Sequence, residues 1–278
     1  GVPSFGLYAA LPNGTVVALP QTPVTRVQIV HNSPSPTVDV YAGNTRLLDN
    51  FEFRTATPFV TVPADRNINI GVAPDNSSSA ADAIATFPVN FESGKRYTVF
   101  ASGVVGSTER PFTLFAQDDA QEFGAPGLVQ VSVHHGSPTP GPIVVDVDER
   151  LIGNILSDFD YGDFSPYLSL PPDNYYFDIR PAGSETILAT YQADLTGLSG
   201  QALRVFASGI LGGDPGFGLF AVLTNGTVIE LPAVQVARLQ VIHNSPSPTV
   251  DVYANDGLLI DDFEFQTATP FIYVPAGV

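Results

Sequence analysis

The sequence predicts an all-β fold made of tandem immunoglobulin-like antiparallel β-sandwich domains. Apolar and polar residues alternate with a period of two in short segments such as 26–31, 37–41 and 96–101, which is the pattern of half-buried strands. The 278 residues include 25 Pro and 25 Gly, and so many turn formers leave little room for long helices. Short strands separated by turn signals therefore favour two packed antiparallel sheets.

A long repeat indicates tandem copies of one domain. Residues 1–66 align with residues 213–278 at a constant offset of 212, and about 41 of these 66 positions are identical. The segment HNSPSPTVDVYA recurs unchanged from His31 and from His243. Self-similarity at a fixed period is the signature of repeated structural units.

A weaker repeat lies inside the long one. VQIVHNSP at 27–34 is echoed by VSVHHGSP at 131–138, and FASGVVG at 100–106 by FASGILG at 206–212. The repeating unit is therefore one domain of about 105 residues. We predict four parts: closing strands of a preceding domain at 1–22, complete domains at 26–125 and 129–232, and opening strands of a following, incomplete domain at 238–278. Neither end piece is expected to close a core alone.

Composition narrows the function classes. The net charge of −17 disfavours nucleic acid and anionic membranes as partners. The sequence contains no Cys, which excludes disulfides and cysteine-type zinc sites. No run of 18 or more apolar residues predicts a membrane span. Because Met is absent even at position 1, we expect a processed chain or part of a longer polypeptide.

Several motifs of the first domain together resemble a bacterial family, the "domain of unknown function 4397". They are His31-Asn-Ser-Pro34, Val38-Asp-Val-Tyr41, Val62-Pro-Ala64 and the strand from Gly94 to Gly103. The resemblance covers nearly the whole chain. It implies a secreted or envelope-exposed sandwich domain that often occurs in tandem, and it implies no catalytic residue.

The second domain departs from the family pattern at three places. It has His135-Gly-Ser-Pro138, then Val145-Asp-Val-Asp148 without the Tyr, and Ala202-Leu-Arg in place of Tyr-Thr-Val. These departures indicate that the two domains have diverged.

The His-x-Ser-Pro turns and the aspartates that follow them are the most distinctive residues. The histidines could be metal ligands or bases, and each could form a dyad with its aspartate. We favour a structural role, because each histidine follows a strand whose apolar residues share its face and no Gly-x-Ser-x-Gly nucleophile accompanies it. The repeat-motif residues assigned this role are His31, Pro34, Asp39, His135, Pro138, Asp146, His243, Pro246 and Asp251. We expect no enzyme activity, no cofactor and no metal site.

Other motifs keep two readings. The triplets at Asn13, Asn76 and Asn225 match the N-glycosylation signal, but Asn-Gly is also a hairpin-turn signal. The acidic clusters at Asp118-Asp119, Asp146 to Glu149 and Asp261-Asp262 could bind calcium weakly or form a solvated surface. The second interpretation is favoured since no calcium-loop pattern is present. Aromatic residues could line a sugar-binding face, although core packing is favoured. These are Phe51, Phe53, Phe59, Phe263, Phe265 and Phe271.

Three function classes compete, and the enzyme class is disfavoured because neither domain carries a polar constellation that is unique to it. We expect a structural subunit of an extracellular or cell-surface fibre, built head-to-tail from copies of itself, with strand complementation as one mechanism. A surface adhesin or carbohydrate-binding stalk, with glycans as partners, is the alternative. The unchanged HNSPSPTVDVYA segment suits a repeated packing contact better than diversified recognition. The short linkers 121–127 and 233–236 predict that neighbouring domains touch.

Overall fold

A computed structural model describes residues 6–139, 144–150, 152–254 and 257–276. The predicted all-β class is confirmed: strands of several antiparallel sheets make up most of the described chain, with one short 3₁₀ turn at Ala80–Asp82. No helix among these residues is long and apolar enough to cross a membrane. Residues 1–5 of the predicted closing strands, 140–143 and 151 of the predicted second domain, and 255–256 and 277–278 of the predicted opening strands lie outside the described residues.

The chain begins with a two-stranded hairpin, the N-terminal hairpin (residues 7–19), in which β1 pairs with β2. The strands are β1 (Tyr8–Ala10) and β2 (Val16–Ala18). The turn between them contains Asn13 and Gly14, and Gly14 has a φ of 82°. Glycine adopts this left-handed conformation without steric cost, which explains its place at the tip.

The first domain (residues 24–120) is a sandwich of two sheets. Its strands are β3 (Val24–Asn32), β4 (Val38–Ala42), β5 (Thr45–Phe51), β6 (Thr55–Ala56), β7 (Val60–Pro63), β8 (Asn67–Pro74), β9 (Ala85–Asn90), β10 (Arg96–Ser102) and β11 (Thr113–Gln117). One sheet has the order β11-β10-β3-β6 with β7 also on β3, and the other has the order β5-β4-β8-β9. The ladders are antiparallel except that β3 and β10 run parallel.

The second domain (residues 129–231) repeats this architecture. Its strands are β12 (Val129–His134), β13 (Val145–Glu149), β14 (Gly153–Phe159), β15 (Leu168–Leu170), β16 (Asn174–Pro181), β17 (Ala189–Asp194), β18 (Ala202–Ser208), β19 (Gly218–Leu223) and β20 (Val228–Glu230). The sheets have the orders β15-β12-β18-β19-β20 and β14-β13-β16-β17. Again one pair, β12 with β18, is parallel.

The C-terminal segment (residues 236–276) forms three two-stranded pairs. Its strands are β21 (Val236–Leu239), β22 (Ile242–His243), β23 (Val250–Ala254), β24 (Gly257–Phe263), β25 (Thr267–Ala268) and β26 (Ile272–Pro275). Each pairing reproduces a first-domain register at the offset of 212. Val236 faces Pro275 as Val24 faces Pro63, and Ile242 faces Ala268 as Val30 faces Ala56.

Alternation along the strands places a core between the two sheets of each complete domain. In β3, Val27 and Ile29 pack toward the interior of the first domain. In β18, Leu203 and Val205 belong to the core of the second domain. The next residues along these strands, Val30 and Phe206, point to the opposite face and are also buried. Both strands therefore carry apolar residues on both faces, as in a sheet that is covered on both sides.

Candidate functional site

The repeat histidine of the first domain closes its own turn. His31 is fully buried; its Nδ1 accepts a bond from the Ser33 amide at 3.3 Å and its Nε2 bonds to the Pro36 carbonyl at 3.1 Å. Nε2 is therefore the protonated nitrogen, and it donates to the carbonyl. Burial lowers the pKa of His31 despite the bond to Pro36, which acts in the opposite sense. Both ring nitrogens are occupied by the turn, so the ring is not placed to act as a base or metal ligand.

The same turn recurs in the C-terminal segment. His243 accepts from the Ser245 amide at 3.3 Å and bonds to the Pro248 carbonyl at 3.1 Å. Each histidine also packs on an aromatic ring of the following hairpin. The centroid distances are 5.6 Å for His31 and Phe51 and 5.7 Å for His243 and Phe263. The turn is therefore a self-contained unit of structure.

The two adjacent histidines of the second domain lie on opposite faces of the strand end. His135 is buried beside Phe159, with ring centroids 6.3 Å apart. His134 faces the first domain, stacked on Phe164 at 4.1 Å and lying 4.4 Å from Phe100. Burial, together with smaller contributions from the nearby Arg204 and His135, lowers the pKa of His134 to about 3, although the bond to the Asp163 carbonyl acts in the opposite sense. His134 is thus neutral and belongs to the contact between the domains.

The prolines of the three turns have different surroundings. Pro34 is half-buried, Pro138 is buried and Pro246 is exposed. The serine before the proline anchors the turn in both complete domains. Ser33 donates to the Gly103 carbonyl at 2.8 Å, and Ser137 donates to the Gly209 carbonyl at 2.6 Å.

The repeat aspartates hold a β-bulge. Asp39 accepts a bond from the Asn50 amide at 2.9 Å, and Asn50 has a φ of 51°. Burial opposes ionisation of Asp39, but bonds from Ser77, Asn50 and Arg46 keep its pKa below the usual range. Asp146 and Asp251 accept in the same way from the amides of Asp158 and Asp262, at 2.9 and 3.0 Å. The carboxylate thus stabilises a left-handed residue that would otherwise be strained.

One acidic cluster is a geometric candidate for a cation. Carboxylate oxygens of Asp251, Asp261 and Asp262 lie within 4.8 Å of one another, and all three residues are exposed. Repulsion from Asp262 and Asp251 raises the pKa of Asp261. In the first domain Arg46 bridges Asp39 and Asp49 at the matching place, whereas the C-terminal segment has Leu258 there. Leu258 in place of Arg46 and Asp262 in place of Asn50 together explain the uncompensated charge.

The glycosylation triplets lie on exposed turns. Asn13, Asn76 and Asn225 are all exposed. The side-chain oxygens of Asn13 and Asn225 accept bonds from the amides two residues on, at 3.0 and 2.9 Å, which is the geometry of an Asx turn. Glycosylation stays a prediction.

The aromatic residues proposed for a sugar-binding face do not form one. Phe51, Phe59 and Phe263 are buried, whereas Phe265 and Phe271 are exposed. Phe53 is half-buried and carries the Arg54 guanidinium 4.7 Å from its ring centroid. Core packing accounts for the buried members.

A buried aromatic cluster joins the outer faces of the two domains. It contains Val30 and Phe100 of the first domain with Phe206, Phe220 and Val222 of the second. The rings of Phe100 and Phe206 lie 5.3 Å apart. The contact between the two complete domains, which the short linker 121–127 predicts, is present.

The contact is reciprocal. Phe100 and Phe206 are counterparts in the shorter repeat, and they touch each other. Val30 packs in the cluster with Phe220. In the shorter repeat, the counterpart of Val30 is His134 and the counterpart of Phe220 is Phe115, and the ring centroids of His134 and Phe115 lie 5.6 Å apart. Each domain therefore uses the same face, as expected for a pseudo-two-fold interface.

Polar groups fix the register of this interface. Asn32 Nδ2 donates to the carbonyls of Gly136 and Ala207 at 3.0 and 3.1 Å. Arg204 is buried and bonds to Asp119 at 2.9 Å. These directional bonds favour one arrangement of the two faces, although Asn32 Oδ1 and Arg204 Nε and Nη1 are buried without a hydrogen-bond partner.

Arg54 makes a further polar contact across the interface between the two domains. Its guanidinium donates to Ser208 Oγ at 3.1 Å and to the Gly216 carbonyl at 2.7 Å, and it lies 4.2 Å from the Phe220 centroid.

The tip of the β19–β20 hairpin lies against the first domain. The Phe59 amide donates to the Thr224 carbonyl at 3.3 Å, and Gln28 Nε2 donates to the Leu223 carbonyl at 2.8 Å. A Cβ on Gly226 would lie 2.7 Å from the backbone nitrogen of Pro58. Glycine is required there by the close approach as well as by its φ of 90°.

The repeat mates of these interface residues, which lie 212 positions away, are exposed at the two ends. Val30 is 0% exposed but Ile242 is 66% exposed; Phe220 is 5% exposed but Tyr8 is 63% exposed. Likewise Phe59 is 6% and Phe271 is 56% exposed. The chain thus presents on its surface the repeat mates of part of each half of its internal interface.

A separate feature is an apolar cavity between the sheets of the second domain. It has a volume of about 210 Å³ and is lined from both sheets, by residues such as Val133, Val147, Phe177 and Val205. Few polar groups reach it, among them His135 and Ser137. A sugar would leave its hydroxyls without partners there, whereas a small hydrocarbon would not.

A family model described as "Domain of unknown function (DUF4397)" matches residues 25–128 and 129–228. The two matches are adjacent and correspond to the two sandwiches described above. No curated protein matches the chain.

Proposed function

We propose that this chain, which belongs to the DUF4397 family through both of its complete domains, is a structural subunit of an extracellular or cell-surface fibre. Copies of the chain join head-to-tail into a homopolymer. The subunit is not an enzyme, and its repeat histidines and aspartates hold turns and bulges.

The observation that carries this proposal is the exposure of repeat mates. Ile242 and Tyr8 belong to surfaces that the interior copies bury. Exposed apolar surface of this kind marks an interaction site in a soluble protein. Because one half lies at each end of the chain, a contact between the halves of two copies does not close, and it propagates as a filament.

The internal packing supports a stiff fibre. The two complete domains share a buried aromatic cluster and several hydrogen bonds. These contacts restrict the motion of one domain relative to the other.

Sedimentation velocity and electron microscopy of the purified chain test the proposal. We expect the weight-average mass to rise with concentration and thin filaments to appear. Monodisperse monomers across a wide concentration range would contradict it.

A second candidate function is favoured by the apolar cavity of the second domain, which has room for a small apolar molecule. Heteronuclear NMR with dissolved benzene as the probe tests it. We expect shifts at Val133 and Val205 that disappear in the cavity-filling variant Ala189→Leu. The matched control is Ala85→Leu, the counterpart position in the first domain, and shifts that persist in Ala189→Leu would contradict it.

A further inference from the structure

Part of the internal interface is a template for the contact between copies. Its part on residues 28–59 recurs at 240–271, and its part on the β19–β20 hairpin recurs as the N-terminal hairpin, whereas Phe100 and Phe206 have no repeat mate at this offset. We propose that the N-terminal hairpin of one copy docks on the face formed by β21, β22 and β25 of a second copy. This inference rests on the proposed function and names its interface.

The hairpin has the conformation that docking requires. Tyr8 faces Ala18 as Phe220 faces Glu230, so the two hairpins have the same register. The Asn13 and Asn225 turns share their internal bond. A preformed hairpin loses little conformational freedom on binding.

Differences between the two copies of the interface compensate for each other. Val30 and Val222 share the buried cluster, and their repeat mates are Ile242 and Ala10. Ile242 has one methylene more than Val30, and Ala10 has two methyl groups fewer than Val222. The gain on the receiving face thus offsets part of the loss on the hairpin, and packed interfaces tolerate changes that roughly conserve the total apolar volume.

The pair of Arg54 and Phe220 also differs at both members between the two copies of the interface. Arg54 lies over the Phe220 ring at 4.2 Å in the internal contact, and the repeat mates are Gln266 and Tyr8. Arginine over phenylalanine is a cation–π pair, whereas glutamine opposite tyrosine forms an amide–hydroxyl hydrogen bond. Both pairs satisfy the polar group that the contact buries.

The receiving face is already arranged for the hairpin tip. Gln28 donates to the carbonyls of Thr57 and Leu223. Gln240 already makes the first of these bonds, to the Thr269 carbonyl at 3.0 Å. Its amide carries a second N–H, which is the donor for the carbonyl of Leu11 in the docked copy.

Gly14 meets the steric requirement of the tip. Gly226 lies so close to Pro58 that a side chain would clash. Its repeat mate Gly14 has nothing within 4 Å of an added Cβ in this chain. The glycine at position 14 thus leaves room for Pro270 of a second copy.

Face packing fits the repeat better than strand donation. The strand that runs beside β3 in the first domain is β10. The strand β1 is the repeat mate of β19, which pairs with β18 and β20 and not with β12. The N-terminal hairpin therefore belongs on the face of the receiving sheet and not in the place beside β21 and β22.

Charge substitutions at the two halves test the inference by sedimentation velocity. Tyr8→Asp blocks the N-terminal hairpin and Ile242→Asp blocks the receiving face of β21, β22 and β25, so each variant alone should associate at least about tenfold more weakly than the parent chain. An equimolar mixture of the two variants should give one-to-one dimers and nothing larger, since it offers one kind of intact hairpin and one kind of intact receiving face.

Matched controls lie beside each substitution. Val17→Asp changes the same hairpin at a position exposed in both copies, with 44% exposure for Val17 and 45% for Ile229. Leu258→Arg places a charge in the C-terminal segment where the repeat mate Arg46 is exposed, and it adds no further carboxylate to the acidic cluster. Both controls should associate like the parent chain, as should the double variant Tyr8→Phe, Gln266→Arg, which restores the internal pair.

The outcomes separate the inference from the proposed function. A parent chain that never associates contradicts both. Association that persists in Tyr8→Asp and Ile242→Asp overturns the inference alone and favours strand donation instead. Circular dichroism melting of each variant shows whether the two complete domains stay folded, and Gly14→Ala supplies a milder substitution with the same expected loss of association.

Discussion

At the residue scale, the repeat side chains of the motifs serve the backbone around them. His31 bonds to the carbonyl of Pro36 and to the amide of Ser33, and Asp39 accepts from the amide of Asn50. A buried polar side chain that satisfies backbone groups is costly to remove, because its partners stay buried without it.

His31→Ala should therefore lower the free energy of unfolding by about 1–3 kcal/mol, since it leaves the Pro36 carbonyl and the Ser33 amide without their partner. Urea denaturation measures the change. Ser35→Ala is the control, because the exposed Ser35 contributes its carbonyl and not its side chain to the turn. Equal midpoints for His31→Ala and the parent chain would contradict the structural role.

His134 should make stability depend on pH. Its pKa is about 3 in the folded chain and about 6.5 when unfolded, so below about pH 6.5 the unfolded state binds the extra proton. Above this pH the protonation of His134 does not change the free energy of unfolding. Below it, the free energy of unfolding falls as the solution is acidified, by at most about 1.4 kcal/mol per pH unit.

The variant His134→Val, which copies the first-domain residue Val30, isolates this effect. Its unfolding free energy, measured by urea between pH 4 and 7, should fall less steeply than that of the parent chain. Contributions of His31 and of the carboxylates are common to both proteins and cancel in the comparison. Parallel curves would show that His134 is not the titrating group.

At the element scale, the same hairpin exists in a docked and an undocked form within one chain. The β19–β20 hairpin packs on the first domain through Gly226 and Thr224. The N-terminal hairpin keeps the same register without that support. Local turn chemistry is thus sufficient to form the hairpin, and docking is a separate contribution.

Gly226→Ala and Gly14→Ala separate these contributions. Both introduce a side chain at positive φ, 90° and 82°, so both carry a similar backbone strain of about 1 kcal/mol. Only Gly226→Ala also meets the backbone of Pro58. In dilute solution its melting temperature should fall further than that of Gly14→Ala, and equal losses would contradict the close packing at the tip.

At the scale of the whole molecule, the two complete domains form one packed body. The cluster around Phe100 and Phe206 and the bonds of Asn32 and Arg204 extend across the contact. Unfolding of either domain exposes the outer face of the other, which couples their stabilities.

We expect a single calorimetric transition for the two complete domains of the parent chain. Phe206→Asp places a charge in the buried contact and should divide the transition into two. Val105→Asp, at an exposed apolar position of the first domain, should leave one transition. Two transitions in the parent chain would contradict the coupling.

The strands, the turns and the repeat can be predicted from the amino-acid sequence alone. Period-two alternation, Asn-Gly turns and the offset of 212 are local or periodic signals that predict the all-β class, whereas the family resemblance rests on motifs such as His31-Asn-Ser-Pro34 and Val38-Asp-Val-Tyr41. They also predicted that neighbouring domains touch, since the linkers are short.

The tertiary structure decided which outward residues meet and which do not. Val30 and Ile242 lie in almost the same local sequence, yet one is buried and the other is exposed. Burial depends on what covers the second face of a sheet, and that partner is distant in the chain. The parallel pairing of β3 with β10 and the cavity of the second domain have the same origin, because strand order and side-chain fit are properties of the packed molecule.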